Sequence, residues 1–273
     1  MRISILFFFY FAIINPQEIK VITYNIRLDI QSDGENRWDN RKEMLTGQVL
    51  FHEPDFLGVQ EALPNQMNYL AKALTQYAFI GEGRDGENKG EYSAIFYNTT
   101  KYKVIEEGTF WLSETPDKVS KGWDAAYNRI CTYGLFEDKN SGAKIYIFNT
   151  HFDHVGNQAR INSAKLILEK ISEINKLGIP FVLMGDFNLE EGSESIQLLS
   201  DHLNDSKTIA KTVFGPNGTF NAFEFTKPVV KRIDYIFVPQ SGVAVNKYAV
   251  LSDSKDCRYP SDHLPVYIEL AMK

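Results

Sequence analysis

Two cysteines, Cys131 and Cys257, are all that the 273 residues contain. There is no CxxC pair, and the two lie too far apart along the chain to read as a zinc clip. Sequence alone leaves open whether they pair in an oxidising compartment. An apolar run of membrane-spanning length is also missing. The run from Ile5 to Ile14, after the positive Arg2, has the length of the h-region of an export signal. Ala12 is small, but Ile14 and Asn15 are not the residues favoured before a cleavage point, so a buried first strand is the alternative. We read residues 1–18 as a signal peptide and 19–273 as the mature domain, exported and without stable membrane insertion. No cysteine lies near this start, which excludes a cysteine-linked lipid anchor. Positive charge is in short supply too: 29 Lys and Arg stand against 35 Asp and Glu, a net −6, with no Lys/Arg run. That excludes a grip on long polyanions by charge alone, though not contact with a few phosphates through a bound metal ion. Repeats, low-complexity segments and linkers are likewise missing, which leaves one α/β domain.

What is present is an alternation of short apolar runs with amphipathic stretches. "IKVITYNI" (19–26) and "DFLGVQE" (55–61) read as buried strands. Between them, 38–53 carries Leu45, Val49 and His52 on one helical stripe and stops at Pro54. Met67, Leu70, Ala71 and Leu74 recur at helical spacing. Strands are expected at 92–98, 130–138 and 143–151, the last two forming a hairpin over Asp138-Lys139-Asn140-Ser141-Gly142. A long helix is expected over 158–176, ending at Gly178 and Pro180. Strand 181–185, a short helix at 193–201 and strands at 232–238, 243–251 and 264–270 complete the chain. This much sheet implies two packed sheets with helices outside.

The polar residues fall at strand ends: Asn25, Glu61, Asn149 with His151, Asp186 with Asn188, and Asp262-His263 before the last strand. Asp234 sits inside the otherwise apolar "RIDYIFV". Singly, each has a plain reading as a turn former, a helix cap at Glu61, or a core ion pair of Asp234 with Arg232. Six such clusters are too many for turns, and strand ends on one edge of a sheet converge where α/β folds place their sites. Asn25, Glu61, Asp186, Asn188 and Asp262 are hard oxygen donors, suited to Mg²⁺ or Mn²⁺. "NTHFDH" nearly matches the H-x-H-x-D-H run of zinc hydrolases of the metallo-β-lactamase type, but Asn149 stands where the first histidine belongs.

"TYNIR", "GVQEA", "NTHFDH", "MGDFN", "RIDYIFV" and "PSDHLPV", in this order from about residue 20 to 271, resemble the endonuclease/exonuclease/phosphatase superfamily. Exonuclease III, pancreatic deoxyribonuclease, neutral sphingomyelinases, inositol polyphosphate 5-phosphatases and the carbon catabolite repressor/nocturnin deadenylases belong to it. The resemblance implies a four-layer α/β sandwich of two packed mixed β-sheets flanked by helices. It also implies a Mg²⁺- or Mn²⁺-dependent phosphoesterase. Glu61, Asn25 and Asp262 would hold the metal. Asp186 would orient or deprotonate the attacking water, and Asn188 would hold that water or a phosphate oxygen. His263 would contact the scissile phosphate with Asp234 fixing its tautomer, and His151 would also reach the phosphate. "GTFWLSETP" and "KGWDAAYNRI" further resemble a bacterial branch of the superfamily.

The Gly-rich, charged "GEGRDGENKGEYS" (81–93) reads as a loop at the cleft mouth. Trp111, Trp123 and Tyr127 are candidates to stack on a base or sugar, against the alternative of core packing. Arg129 is a candidate phosphate clamp, with Arg84 and Lys89 as further single cations, and Asp153 and His154 are candidates for supporting contacts. The expected activity is therefore hydrolysis of a phosphodiester in short or single-stranded nucleic acid, a small diester or a phospholipid headgroup, in preference to long duplex DNA. A phosphomonoesterase or sphingomyelinase-type activity on the same fold, a zinc hydrolase and an inactive docking module are the alternatives.

Overall fold

The computed structural model describes residues 18–273, so the expected signal peptide lies outside the described residues except for Glu18. No helix among the described residues is long and apolar enough to cross a membrane. In chain order the strands are β1 (Glu18–Asn25), β2 (Phe56–Gln60), β3 (Tyr77–Ile80), β4 (Ile95–Asn98), β5 (Tyr102–Trp111), β6 (Ile130–Asp138) and β7 (Lys144–His151). They continue with β8 (Phe181–Asp186), β9 (Leu203–Asp205), β10 (Thr212–Phe214), β11 (Asp234–Pro239), β12 (Val243–Val250) and β13 (Val266–Met272). The helices are α1 (Trp38–His52), α2 (Pro64–Ala73), α3 (Asn157–Ile174), α4 (Glu194–His202) and the single turn α5 (Ser206–Ile209).

These strands form two mixed sheets, ordered β10-β12-β13-β1-β2-β4-β3 and β5-β6-β7-β8-β11-β9. Side-chain alternation assigns the layers. Ile19 and Val21 of β1, Ile145 and Ile147 of β7, Val182 and Met184 of β8, and Ile236 and Val238 of β11 share the core between the sheets. The intervening Ile22 and Tyr24 face outward to Leu45 and Val49 of α1 and Leu70 of α2. Phe148, Leu183 and Phe237 likewise meet Ile167 of α3 and Leu199 of α4. Both faces of the central strands are thus covered, which is why these strands read as unbroken apolar runs. Each fully buried Phe or Ile in these layers contributes about 1.5–3 kcal/mol. The result is a four-layer sandwich of helix, sheet, sheet and helix.

Local signals act where sequence places them. α1 ends on Glu53 in the left-handed region (φ 48°), and Pro54 follows it. The β6–β7 hairpin forms with Glu137 opposite Lys144, and Asp138 Oδ1 accepts the backbone N–H groups of Asn140 and Ser141 at 3.0 and 2.6 Å. The strand expected at 92–98 is shorter. Tyr92 instead bridges Ala62 and Gly83, so regular pairing starts only at Ile95. Cys131 is buried and Cys257 exposed, and both are free.

The second sheet packs directly against Gly58 of the first. A Cβ there would lie 2.6 Å from Met184 Cε and 2.8 Å from Asn149 Cγ. Asn149 therefore does not join the strand-end cluster. Its Nδ2 donates to the carbonyls of Val59 and Ala94, at 3.0 and 2.8 Å, and its Oδ1 accepts from Gln60 Nε2 at 2.6 Å. This buried amide ties one sheet to the other. Gly58→Ala should lower the unfolding free energy by about 1–3 kcal/mol, the cost of overpacking a filled core. A denaturant midpoint unchanged from wild type would show that the sheets can separate to admit the methyl group.

Candidate active site

Strand register gathers the polar strand ends. β1 and β2 run parallel with Asn25 opposite Gln60, so Asn25 and Glu61 leave the same end of the first sheet. In the second sheet β7 and β8 run parallel with His151 opposite Asp186, and β11 runs antiparallel with Asp234 opposite the same Asp186. β13 is antiparallel to β1, so the Ser261-Asp262-His263 segment before it returns to Asn25. Ser261 Oγ fixes that return by donating to the Asn25 carbonyl at 2.7 Å. Across the sandwich, Asn25 Nδ2 donates to Glu61 Oε1 at 3.1 Å and to Asp186 Oδ2 at 2.9 Å.

A cleft of about 830 Å³ opens over these ends. Arg27, Glu61 and Asn188, which follow β1, β2 and β8, all line it with left-handed backbone (φ 55°, 62° and 52°). Left-handed residues other than glycine are uncommon and store strain, and such strain gathers at functional sites. His263 Nδ1 lies 2.9 Å from Asp234 Oδ2, and its Nε2 lies 3.8 Å from Asp186 Oδ2. Burial opposes protonation of His263, but Asp234 and Asp186 outweigh it and hold its pKa well above the usual histidine value. That direction favours the imidazolium form, with Nδ1 donating to Asp234 Oδ2. His151 is the reverse case: burial, then Arg129 and Arg84, hold it well below the usual value and neutral. Its Nε2 accepts from Asn188 Nδ2 at 3.0 Å, which places the ring proton on Nδ1. Asn188 also donates to the Phe152 carbonyl and, through its backbone N–H, to Asp186 Oδ1. Burial and Asp234 raise the Asp186 carboxyl above the ordinary carboxylate range. Burial raises Asp262 too, with His263 pulling against it and Glu61 adding to it.

The site thus carries more negative charge than it neutralises. Glu61, Asp186 and Asp262 share it with Arg27, whose Nη1 is 3.9 Å from Glu61 and whose Nε is 3.7 Å from Asp262. The Arg27 fork is itself committed to Asp33 at 2.9 Å. A set of hard oxygens in which burial and neighbouring carboxylates raise Asp186 and Asp262 fits a divalent cation. Asp186, Asp234 and His263 also bring one ligand atom each within 4.8 Å. In that trio His263 Nδ1 is already taken by Asp234 Oδ2 at 2.9 Å. Asp234 Oδ1 has no hydrogen-bond partner among the described residues.

Several expected roles are corrected by this geometry. Asn25 donates its amide nitrogen to Glu61 and Asp186, and its Oδ1 accepts from the Arg27 N–H. Glu61 does not cap α2, whose N-cap is Leu63; it accepts from the Leu28 N–H at 3.2 Å. Arg232 pairs with Asp205 and Glu191, not Asp234. Trp111 is buried and donates its Nε1–H to the Arg84 carbonyl, and Trp123 does not line the cleft, so neither presents a face for stacking there. Tyr127 does line it and is half exposed. Asp153 is buried and accepts from the backbone of Ala126, Val155 and Gly156 and from Arg129 Nε, out of reach of substrate. With Asp153 so committed and Asn149 between the sheets, the zinc-hydrolase arrangement does not form. Arg84 and Arg129 line the cleft, as do His154 and the Gly-rich loop residue Glu91, but Lys89 does not.

Three supports were not anticipated. The segment Thr219–Asn221 straps the site: Thr219 Oγ1 accepts from the N–H groups of Ile233 and Asp234, Leu264 N–H donates to the Thr219 carbonyl, and Asn221 N–H donates to the Asp262 carbonyl. Lys231 adds a cation to the cleft. Arg41 is buried on α1 with no carboxylate beside it, and its guanidinium donates to the carbonyls of Ile26, Arg27, Asn36 and Pro260. An arginine on the Trp38–Leu45–Val49 stripe was the available signal for it. Arg41→Met should cost roughly 3 kcal/mol, because several buried carbonyls lose their donor. It should also lower turnover by about tenfold or more by freeing the Arg27 and Pro260 loops. Thermal melts with initial rates test both, and a melt equal to wild type would contradict it.

The family model for the endonuclease/exonuclease/phosphatase family matches residues 22–263. A solved family protein from Bacteroides thetaiotaomicron superposes with TM-score 0.92 at 40% identity, over 95% of this chain and 99% of that one. A Bacteroides thetaiotaomicron structure described as a mannosyl-6-phosphatase gives TM-score 0.90 at 40% identity, over 93% of this chain and 100% of that one. Among curated proteins, the CCR4-Not complex 3'-5'-exoribonuclease subunit Ccr4 of Mycosarcoma maydis is 22% identical over 94% of this chain. That match spans 51% of the exoribonuclease subunit.

Proposed function

The chain belongs to the endonuclease/exonuclease/phosphatase family, and on that premise we propose that it hydrolyses phosphate monoesters of small alcohols with the help of Mg²⁺ or Mn²⁺. One observation carries the reading: Asp186 faces the protonated His263–Asp234 pair beside the carboxylate cluster of Glu61 and Asp262, inside a bounded cleft. Glu61 and Asp262 would hold the cation, which would supply charge neutralisation on a phosphoryl oxygen and the leaving group. The remaining work falls to the chain. Asp186, its carboxylate held by the Asn25 amide and the Asn188 N–H, takes a proton from the attacking water as the bond from phosphorus to the alcohol oxygen breaks, and the departing alkoxide takes a proton from solvent. Asn188, tied to His151 and to the Phe152 carbonyl, holds that water or a phosphoryl oxygen in line. His263 donates its Nε2 proton to a phosphoryl oxygen as negative charge builds there. Asp234 keeps the opposite nitrogen protonated and the ring in place.

Two considerations favour a monoester over the diester that the motifs first suggested. Cations at the cleft are single residues, and the sequence, with a net charge of −6, carries no Lys/Arg run to follow a polymer backbone. The similarity to the mannosyl-6-phosphatase is also far higher than to the exoribonuclease, at 40% against 22% identity. A phosphomonoester of a sugar is accordingly the expected substrate, met outside the cytoplasm if the apolar start acts as an export signal. In one panel at fixed salt and Mg²⁺, mannose 6-phosphate should outpace bis-p-nitrophenyl phosphate, single-stranded oligonucleotides, sphingomyelin and duplex DNA by about tenfold or more in kcat/KM. Fastest cleavage of the oligonucleotide would restore the nuclease-like phosphodiesterase reading.

A further inference from the structure

The part of the cleft lined by Arg84, Glu91, Tyr127 and Arg129 carries charges that cancel. Arg84 Nη1 meets Glu91 Oε2 at 2.7 Å, with side chains only 13% and 14% exposed. Arg129 is buried against Asp153 at 3.3 Å. A pocket built to draw in a second phosphate would leave these guanidinium groups unpaired. Here a carboxylate stands in the wall of a cleft that must admit a phosphate dianion. Burial raises the Glu91 carboxyl, with Arg84 pulling against it, and the ion pair holds the carboxylate in that wall.

The aromatic component is equally fixed. Tyr127 stacks on His154 with ring centroids 6.0 Å apart and planes at 20°, and the Arg84 guanidinium lies 4.8 Å from the Tyr127 centroid. The residue as a whole remains 51% exposed. Backbone pairing of Arg84 N–H with the Glu91 carbonyl at 2.9 Å, the Trp111 bond to the Arg84 carbonyl, and Asn128 donating to Asp85 at 2.9 Å hold the two segments together before any ligand arrives. A preorganised carboxylate, the N–H groups that Arg84 keeps beyond its bond to Glu91, and the exposed part of Tyr127 suit a ring with apolar C–H faces and equatorial hydroxyls.

We infer that Arg84, Glu91 and Tyr127 form the subsite that reads the alcohol part of the substrate, and that it takes a neutral polyhydroxyl ring such as a hexose while turning away a second phosphate. This rests on the monoesterase reading. Glu91 accepts from ring hydroxyls and repels additional anions. Arg84 donates to hydroxyl oxygens, and Tyr127 covers one face of the ring. All three act on specificity and leave the chemistry at phosphorus to the groups described above.

The test compares three substrates by phosphate release: mannose 6-phosphate, propyl phosphate, which has neither ring nor hydroxyl, and a hexose 1,6-bisphosphate. For Glu91→Gln and for the half-exposed Tyr127→Leu, the ratio of kcat/KM for mannose 6-phosphate over propyl phosphate should fall at least tenfold. Most of the fall should lie in KM. Glu91→Gln should also narrow the preference for the monophosphate over the bisphosphate, since it leaves Arg84 unopposed. Variants that melt with wild-type cooperativity yet keep both ratios would overturn the subsite alone. A wild-type protein inert toward both monophosphates would sink the monoesterase reading itself.

Discussion

Replacing His263 with alanine should lower kcat by about a thousandfold, within the range contributed by a positioned acid. The protein should nonetheless melt cooperatively. The geometry assigns the effect to one proton: burial alone would strip it from His263, and Asp234 at 2.9 Å with Asp186 at 3.8 Å keeps it there. Asp234→Asn should therefore cost roughly a hundredfold through His263 rather than through any contact of its own with substrate. The double variant should lose little beyond His263→Ala, because residues acting as a unit do not add. Additive losses would mean that Asp234 acts independently of the imidazole.

Chelation should abolish turnover, and Mg²⁺ or Mn²⁺ should restore it. The same ions should also raise the melting temperature in the absence of substrate. Burial and neighbouring carboxylates, Asp234 for Asp186 and Glu61 for Asp262, lift these carboxyls, so a cation binding the folded state relieves a strain the unfolded chain does not have. An ion at a hundred times its dissociation constant should add about 2.7 kcal/mol of stability. Glu61→Gln should lose both the activation and the thermal shift. A thermal shift that survives Glu61→Gln would put the ion elsewhere, and restoration by Zn²⁺ alone would favour histidine ligands.

Much of this arrangement was legible in the sequence, for a physical reason. Strands covered on both faces must be apolar throughout, so β1, β2, β7, β8 and β11 announced themselves, and polar groups at their ends stood out against that background. β5 did not, because it edges the second sheet and pairs only with β6. Its middle residues Lys103, Glu106 and Glu107 face solvent, which removes the apolar period. The three-residue β9 and β10 are too short to carry any period. The strap at Thr219–Asn221 was invisible because most of its bonds are made by backbone, with one hydroxyl and one amide that look like ordinary loop residues in sequence. Asn149 and Asn25 show a subtler limit. Both sit at strand ends among acids, but only register reveals that one joins the sheets and the other donates to two carboxylates. The aromatic candidates divided the same way: Trp111 and Tyr127 look alike in sequence, and burial alone tells the prop from the exposed face.

The central claim is that water held at Asp186 attacks phosphorus beside a bound divalent cation. Hydrolysis of mannose 6-phosphate in ¹⁸O-water, followed by mass spectrometry of both products, tests it most directly. The label should enter the inorganic phosphate as a single oxygen, with none in the sugar, and both Asp186→Asn and chelation should suppress its appearance. Label in the sugar hydroxyl, or labelled phosphate formed at an undiminished rate by Asp186→Asn, would contradict the account.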